Sequence, residues 1–462
     1  MIVQDHILRK ALDAALSTGA DFAEVFLENT YSSTLSLLSS QPQKAVVGEL
    51  YGAGIRIFFN EEIIYVTTND LSEDGLVRSA LKAARSHRGQ PTRSVPDFIQ
   101  TQFDQLHTYG EKPWESDRSR KFAWLKSMNQ HARSRSSYVV QVEASLHEKF
   151  QKIQIANSTG VNKYDERIYS RTSLEVTAEK NAVKESFSDR QGFLTSAEFV
   201  NEMDLQKFSF DIADRAVQLT TAQFAPAGEM PVVIDTGFGG VIFHEACGHG
   251  LETTSVAKKA SVFSDKLGQK VAADCVTAID DGTIKNEWGS IHIDDEGRAT
   301  EKTVLIENGI LKSFIVDEMG SRQTGLKPTG SGRRESYKYA PASRMRNTFI
   351  APGKDSFEDM IKDIDYGLFA KTMGGGSVNP GTGEYNFATR EAYVIRNGRI
   401  EELVKGATLI GKGIDTLGKI TKVSSEFKLA TGMCGSVSGS IPTTVGQPQI
   451  LVSSLLVGGR GN

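Results

Sequence analysis

Residues Met230-Pro-Val-Val-Ile-Asp235, Thr236-Gly-Phe-Gly-Gly240 and Val241-Ile-Phe-His-Glu-Ala-Cys-Gly-His249 follow one another without a break. The first six read as a short apolar strand. The glycines then turn the chain into a helix carrying Val241, Ile242 and Phe243. That helix also carries His244, Glu245 and, further on, His249. Imidazole is a good zinc ligand, and a carboxylate beside a ligating histidine can take the proton of an attacking water. In the pattern H-E-x-x-H the histidines are four apart and share one helix face. Here they are five apart. At about 100° per residue, the second ring lies about 140° around a regular helix. Both rings face one metal only if the helix widens or ends between them. Gly248 is where such a break is easiest. The spacing therefore predicts a helix that is irregular at or after Cys247.

Two histidines do not complete a zinc shell, because a catalytic site usually has three protein ligands and one open position. Cys434, in Ala430-Thr-Gly-Met-Cys-Gly-Ser436, is the best third candidate, flanked by glycines that permit close backbone approach. Cys247 is the alternative, although a small buried apolar residue is its ordinary reading. Cys275 reads as structural. Glu252 is either an acceptor for an imidazole N–H or an exposed carboxylate. His6, His87, His107, His131, His147 and His292 stand alone, and His147-Glu148 reads as surface.

Outward from this stretch, the N-terminal part shows one pattern twice. Ile7 to Leu16 has helical spacing with Gly19 as a stop. Strand-like runs follow at Phe22–Leu27, Ser33–Leu38, Gly54–Phe59 and Ile63–Thr68, then a helix at Leu71–Arg85. Ser86–Pro113 reads as a linker. Ser116–Arg133 is the next helix. Strands are expected at Tyr138–Leu146, Phe150–Ala156, Ser170–Ala178 and Val183–Ser188, then a helix at Leu205–Thr221. The residues themselves show no repeat. Beyond Ala227 the chain is rich in strands and glycine: Thr303–Ile306, Leu311–Val316, Ala392–Arg396, Glu402–Leu409 and Gln449–Val457. Asn308-Gly309 and Asn397-Gly398 mark two hairpins. The loop Thr324–Arg346 carries six basic side chains and is too long for a mere connection, so it reads as functional or mobile. The fold class is α+β. An N-terminal domain, 1–222, is read either whole or as 1–87 and 113–222. A strand-rich domain, 227–462, carries the metal-site helix.

Composition excludes several classes. The 462 residues hold 53 basic and 57 acidic side chains, a net charge of −4, which lacks the basic excess of a nucleic-acid binder. Three cysteines argue against a disulfide scaffold, and no window approaches a membrane span. The start lacks the apolar core of a signal peptide. A cytoplasmic protein is expected.

His244-Glu-Ala-Cys-Gly-His-Gly-Leu-Glu252 resembles the signature of the TldD branch of the TldD/PmbA family. The resemblance continues in Ile291-His-Ile-Asp-Asp-Glu-Gly297, Val304-Leu-Ile-Glu-Asn-Gly-Ile310, Lys327-Pro-Thr-Gly-Ser-Gly-Arg-Arg334 and Arg344-Met-Arg-Asn-Thr348. It also holds in Gly374-Gly-Gly376, Val404-Lys-Gly-Ala-Thr-Leu-Ile-Gly411, Met433-Cys-Gly435 and Val445-Gly-Gln-Pro448. It implies a zinc metallopeptidase with one Zn2+ per chain, ligands His244, His249 and Cys434, and Glu245 as general base. The PmbA (TldE) branch lacks the metal motif. After the cysteine, the charged Gly-Lys-type stretch of the family is replaced by Gly435-Ser-Val-Ser-Gly-Ser440. The resemblance further implies small or unfolded peptide substrates, a role in peptide maturation and turnover, and a dimer with a PmbA/TldE-type chain or with itself. Gly374, Gly375 and Gly376 would let a peptide backbone approach closely. Arg333, Arg334 and Arg344 would bind a peptide carboxylate, close over the site, or form a solvated face. A non-catalytic regulator of the gyrase-modulator type is the alternative function.

Overall fold

A computed structural model of the chain describes residues 2–91, 93–99, 103–379 and 381–459. Helix α1 (Asp5–Leu16) buries Leu8, Ala11, Leu12, Ala15 and Leu16, the apolar stripe of its sequence. Helix α2 (Glu73–Ala84) starts at Ser72, whose side chain accepts from the Gly75 N–H at 3.1 Å. Asp117 and Asp204 cap α3 (Arg118–Arg135) and α4 (Leu205–Leu219) in the same way.

The strands between them are longer than expected. The two runs Phe22–Leu27 and Ser33–Leu38 are one strand, β1 (Phe22–Leu38). β2 (Gln41–Phe59) starts at Gln41 rather than at Gly54. β3 is Glu62–Thr68. The two runs expected between 138 and 156 are also one strand, β4 (Val139–Asn157). β5 (Asn162–Lys180) and β6 (Val183–Phe193) complete an antiparallel sheet of order β3-β2-β1-β4-β5-β6. The polar middles of these strands hid their continuity. Glu28, fully buried in β1, accepts from Gln151 Nε2 at 2.8 Å and from the Tyr337 N–H at 2.7 Å. A strand whose polar side chains meet partners on another sheet element shows no apolar alternation. Helices α1 and α2 cover one half of the sheet, and α3 and α4 the other. Each half is helix, three strands, helix, and the halves meet at the β1–β4 seam. The described part of 86–113 forms no helix and no strand beyond an isolated Ile99–Val161 bridge; residues 92 and 100–102 lie outside the described residues.

The rest of the chain builds around a barrel. β7 (Gly228–Ile234) runs parallel to β8 (Tyr366–Asn379), which pairs with β9 (Glu384–Arg396). β9 pairs with β10 (Thr408–Lys412), β10 with β12 (Gly439–Gly458), and β12 returns to β7. β11 (Ile420–Ser436) forms a long hairpin with β12. Strands Asn347–Ile350, Ala278–Asp281 and Lys302–Glu307 extend the sheet from β12. The Asn-Gly pairs make the expected tight turns, with positive φ at Asn308, Gly309, Asn397 and Gly398. The strand after Asn308-Gly309 is only Ile310–Leu311. The run expected at Glu402–Leu409 divides at Gly406, where φ is 71°. The architecture is α+β and strand-rich. Among the described residues, no helix is long and apolar enough to cross a membrane.

Candidate metal centre

Helix α5 (Val241–Ala246) packs against β8, β9, β12 and strand Asn347–Ile350. It ends at Ala246. Cys247 leaves helical geometry at φ −128°, ψ −48°, and a 3-10 turn, Gly248–Leu251, takes over. The break solves the spacing problem. His249 is carried around to face His244, and the rings sit 5.2 Å apart, nearly perpendicular. Gly248 gives Met345 its place, since a Cβ there would lie 2.2 Å from Met345 Sδ and push that side chain aside.

The β11–β12 hairpin brings Cys434 to the same point. Its Sγ lies 3.2 Å from His244 Nε2 and 3.3 Å from His249 Nε2. Three donors held about 2.0–2.3 Å from one ion are separated by about 3–4 Å, so two imidazoles and a thiolate fit zinc here. Burial would raise the Cys434 thiol, but the charge of His244 and hydrogen bonds from both rings outweigh it and bring it down to about 4. A thiolate is the metal-binding form. Glu252, itself buried, accepts from His249 Nδ1 at 3.0 Å, which leaves Nε2 free to be a donor. Glu245 Oε2 is 3.7 Å from His249 Nε2, and its side chain is 31% exposed, more than that of His249.

The other predicted residues fall elsewhere. Cys247 is buried in the apolar core, where burial pushes its thiol well up, and it is not grouped with the three donors. Of the basic side chains in the loop Thr324–Arg346, only Lys327 and Lys338 are exposed; the arginines form no solvated face, because they are buried and already have acceptors. Arg333 donates to the carbonyls of Met345 at 3.2 Å and Pro442 at 2.8 Å. Arg334 donates to Glu24 Oε1 at 2.6 Å, and its guanidinium lies over the Phe26 ring. Arg344 donates to the Cys434 carbonyl. All three are buried. Gly374 and Gly375 bulge from the β8–β9 ladder and line a cavity of about 400 Å³ with Ala430 and Thr431 of β11. Gly376 rejoins the ladder opposite Phe387. Two further residues differ from expectation. His292 does not stand alone: its Nδ1 bonds Asp165 Oδ1 at 2.9 Å and its Nε2 accepts from the His107 N–H at 3.1 Å. Glu148 is not on the surface but pairs with buried Lys121 at 2.8 Å.

Sequence comparison places the chain in a family. The chain matches the PmbA/TldA metallopeptidase domain 1 over 23–86, the central domain over 111–224 and the C-terminal domain over 227–459. A metalloprotease TldD homolog of Buchnera aphidicola is 33% identical over 467 residues, covering 99% of this chain and 96% of that one. The chain belongs to the TldD/PmbA family. A Saccharolobus solfataricus member named a zinc metalloprotease TldD homolog is 32% identical over 62% of each chain. Solved structures share the family fold at low identity. A Thermotoga maritima protein put forward as a modulator of a DNA gyrase superposes with TM-score 0.78 at 21% identity, over 95% of this chain and 96% of that chain. TldE of Thermococcus kodakarensis gives 0.77 at 18%, over 98% and 99%.

Proposed function

We propose that this chain is a zinc-dependent peptidase that cleaves small or unfolded peptides. The observation that carries the reading is the convergence of His244, His249 and Cys434 on one point beside Glu245. These three side chains would hold Zn2+, a choice consistent with the His2Cys donor set and with the name of the Saccharolobus relative. When bound, zinc supplies a Lewis acid that polarises a peptide carbonyl and makes water a stronger nucleophile near neutral pH. Glu245 takes the proton of the attacking water on its carboxylate and passes it to the leaving amine. Glu252 keeps the His249 ring in one tautomer and orientation. Burial of His244 and Cys434 favours extended chains, since a folded protein surface cannot present a peptide bond so deep. Gly374 to Gly376 and the cavity along β11 are the proposed seat of the peptide backbone. We further read the chain as two domains, 1–222 and 227–462, of a cytoplasmic dimer with a PmbA/TldE-type chain or a second copy.

The test is metal analysis with a peptidase assay on wild type and Glu245→Ala, with and without a partner chain. Retained zinc with abolished cleavage is expected for the variant; unchanged cleavage would remove Glu245 from the mechanism. Cys434→Ala should lose zinc while Cys247→Ala keeps it, and the reverse result would move the ligand to Cys247.

A further inference from the structure

We propose that Arg344 is the positioning residue that fixes Cys434 against His249, tying two of the three donors into one unit. The inference rests on the metal-site reading above. Cys434 sits near the tip of a hairpin, on a strand whose only sheet partner among the described residues is β12. Such a tip needs an anchor if its thiolate is to stay in place. Arg344, fully buried, provides one. Its Nη2 donates to the Cys434 carbonyl, and its Nη1 donates to Ser438 Oγ and the Gly439 carbonyl, both at 2.9 Å. The same guanidinium also approaches the turn that carries His249. Its Nε lies 3.9 Å from Glu252 Oε1, and Glu252 Oε2 holds His249 Nδ1 at 3.0 Å. The next backbone N–H, of Met345, donates to Glu252 Oε1 at 3.3 Å. One planar, permanently charged group thus spans the hairpin tip and the carboxylate behind His249. Lysine has neither the reach nor the number of donors to do both.

The experiment measures zinc affinity by chelator competition, and the thiolate-to-cobalt absorption of the Co2+-loaded protein. Wild type, Arg344→Met, Arg344→Lys, Ser438→Ala, Cys434→Ala and Arg334→Met are compared. Outer partners of metal ligands are worth about 10–100-fold in affinity. Arg344→Met should fall by that factor and lose or shift the thiolate band. Arg344→Lys should recover part of both through a bond to the Cys434 carbonyl. Arg334→Met removes an equally buried cation at the N-terminal sheet and should leave the band and the affinity of folded protein unchanged. Wild-type affinity and band in both Arg344 variants would overturn the proposal. If Arg344→Met does not fold, Arg344→Lys and Ser438→Ala decide: wild-type values in both overturn it. A wild type without a thiolate band, or Cys434→Ala binding zinc as tightly as wild type, would instead show that the metal-site reading itself has failed.

Discussion

Gly240 to alanine tests how the metal-site helix is seated. Gly240 is the last residue before α5, with φ −60° and ψ −10°, a conformation open to any residue. Only space forbids a side chain. An added Cβ would lie 2.5 Å from the Gly446 carbonyl oxygen and 2.7 Å from the carbon and nitrogen of the same residue. Comfortable non-bonded contacts are about 3.5 Å, so the two backbones must part by about 1 Å. Backbone cannot rotate away as a side chain can. The cost should sit near the top of the overpacking range, about 2–3 kcal/mol. For a domain of this size that is a fall in Tm of about 5–10 °C. Gly446 lies on β12, whose partner β11 carries Cys434. Parting α5 from β12 therefore parts His244 and Glu245 from Cys434, and a 1 Å misplacement can cost about 100-fold in rate. The neighbour is the control. A Cβ on Gly239 would meet Gln447 Nε2 at 2.5 Å, the tip of a side chain that can swing. Swinging it sacrifices the Gln447 bond to the Asp235 carbonyl, about 1 kcal/mol. Thermal unfolding and peptide cleavage of both variants decide. Gly240→Ala with wild-type Tm and activity, or Gly239→Ala as the more damaging change, would refute the seating argument.

Three further outcomes are expected. Chelation should lower the Tm of purified protein and stoichiometric zinc restore it, since a ligand bound only by the folded state stabilises it; a Tm blind to both excludes a structural contribution from the site. Burial, then the neighbouring His292, pushes His107 down to about 4 from an ordinary 6.5. Between those values the unfolded chain binds the extra proton, so stability is lost as pH falls from about 6.5 to about 4, by about 3 kcal/mol. Glu296, pushed up to about 8 by burial, acts with opposite sign, so the difference between wild type and His107→Gln isolates the effect, and identical pH slopes would contradict it. Arg346→Met leaves Asp280 buried without its charge partner, now 2.8 Å away, and should cost about 3–5 kcal/mol in denaturant unfolding; a loss under about 1 kcal/mol would show that Asp280 is not left as an uncompensated buried charge.

The candidate metal centre was legible because most of its donors are local. His244, Glu245 and His249 lie within six residues, and the helix break follows from their spacing alone. Cys434 was singled out by the usual zinc shell's need for a third donor, and the structure places its Sγ beside both histidines. Glu252 was half legible, three residues past His249, with burial unknown. The burial of Arg344 was not legible, because its acceptors, the Cys434 and Gly439 carbonyls and Ser438 Oγ, lie far along the chain. The helices of the N-terminal half followed their apolar stripes, whereas the long strands did not follow alternation. Glu28, Gln151 and Gln154 are buried polar side chains paired across the sheet or with distant segments, so burial and polarity part company in those strands. His107 and His292 carried no signal, because their contacts join residues far apart in the chain.

The loop from Thr324 to Arg346 shows how one composition serves two opposite ends. Six basic side chains with little regular structure describe a solvated segment as well as a buried one. What separates them is the supply of hydrogen bonds. A buried irregular segment must satisfy carbonyls that no sheet ladder reaches. Arginine, with five donors in a rigid fork, can collect several at once. Arg346 donates to the carbonyls of Thr329 and Gly330 and to Asp280, and Arg333 joins the carbonyls of Met345 and Pro442. Arg344 does the same for the tip that bears Cys434. Each guanidinium replaces the missing ladder at one crossing, so the loop is held by side chains rather than by secondary structure. Buried charge of this kind adds little net stability, because desolvation offsets the attraction. What it fixes is position. A hairpin tip that must hold a thiol sulfur 3.2 and 3.3 Å from two imidazole nitrogens requires position more than stability, and arginine is the side chain that supplies it.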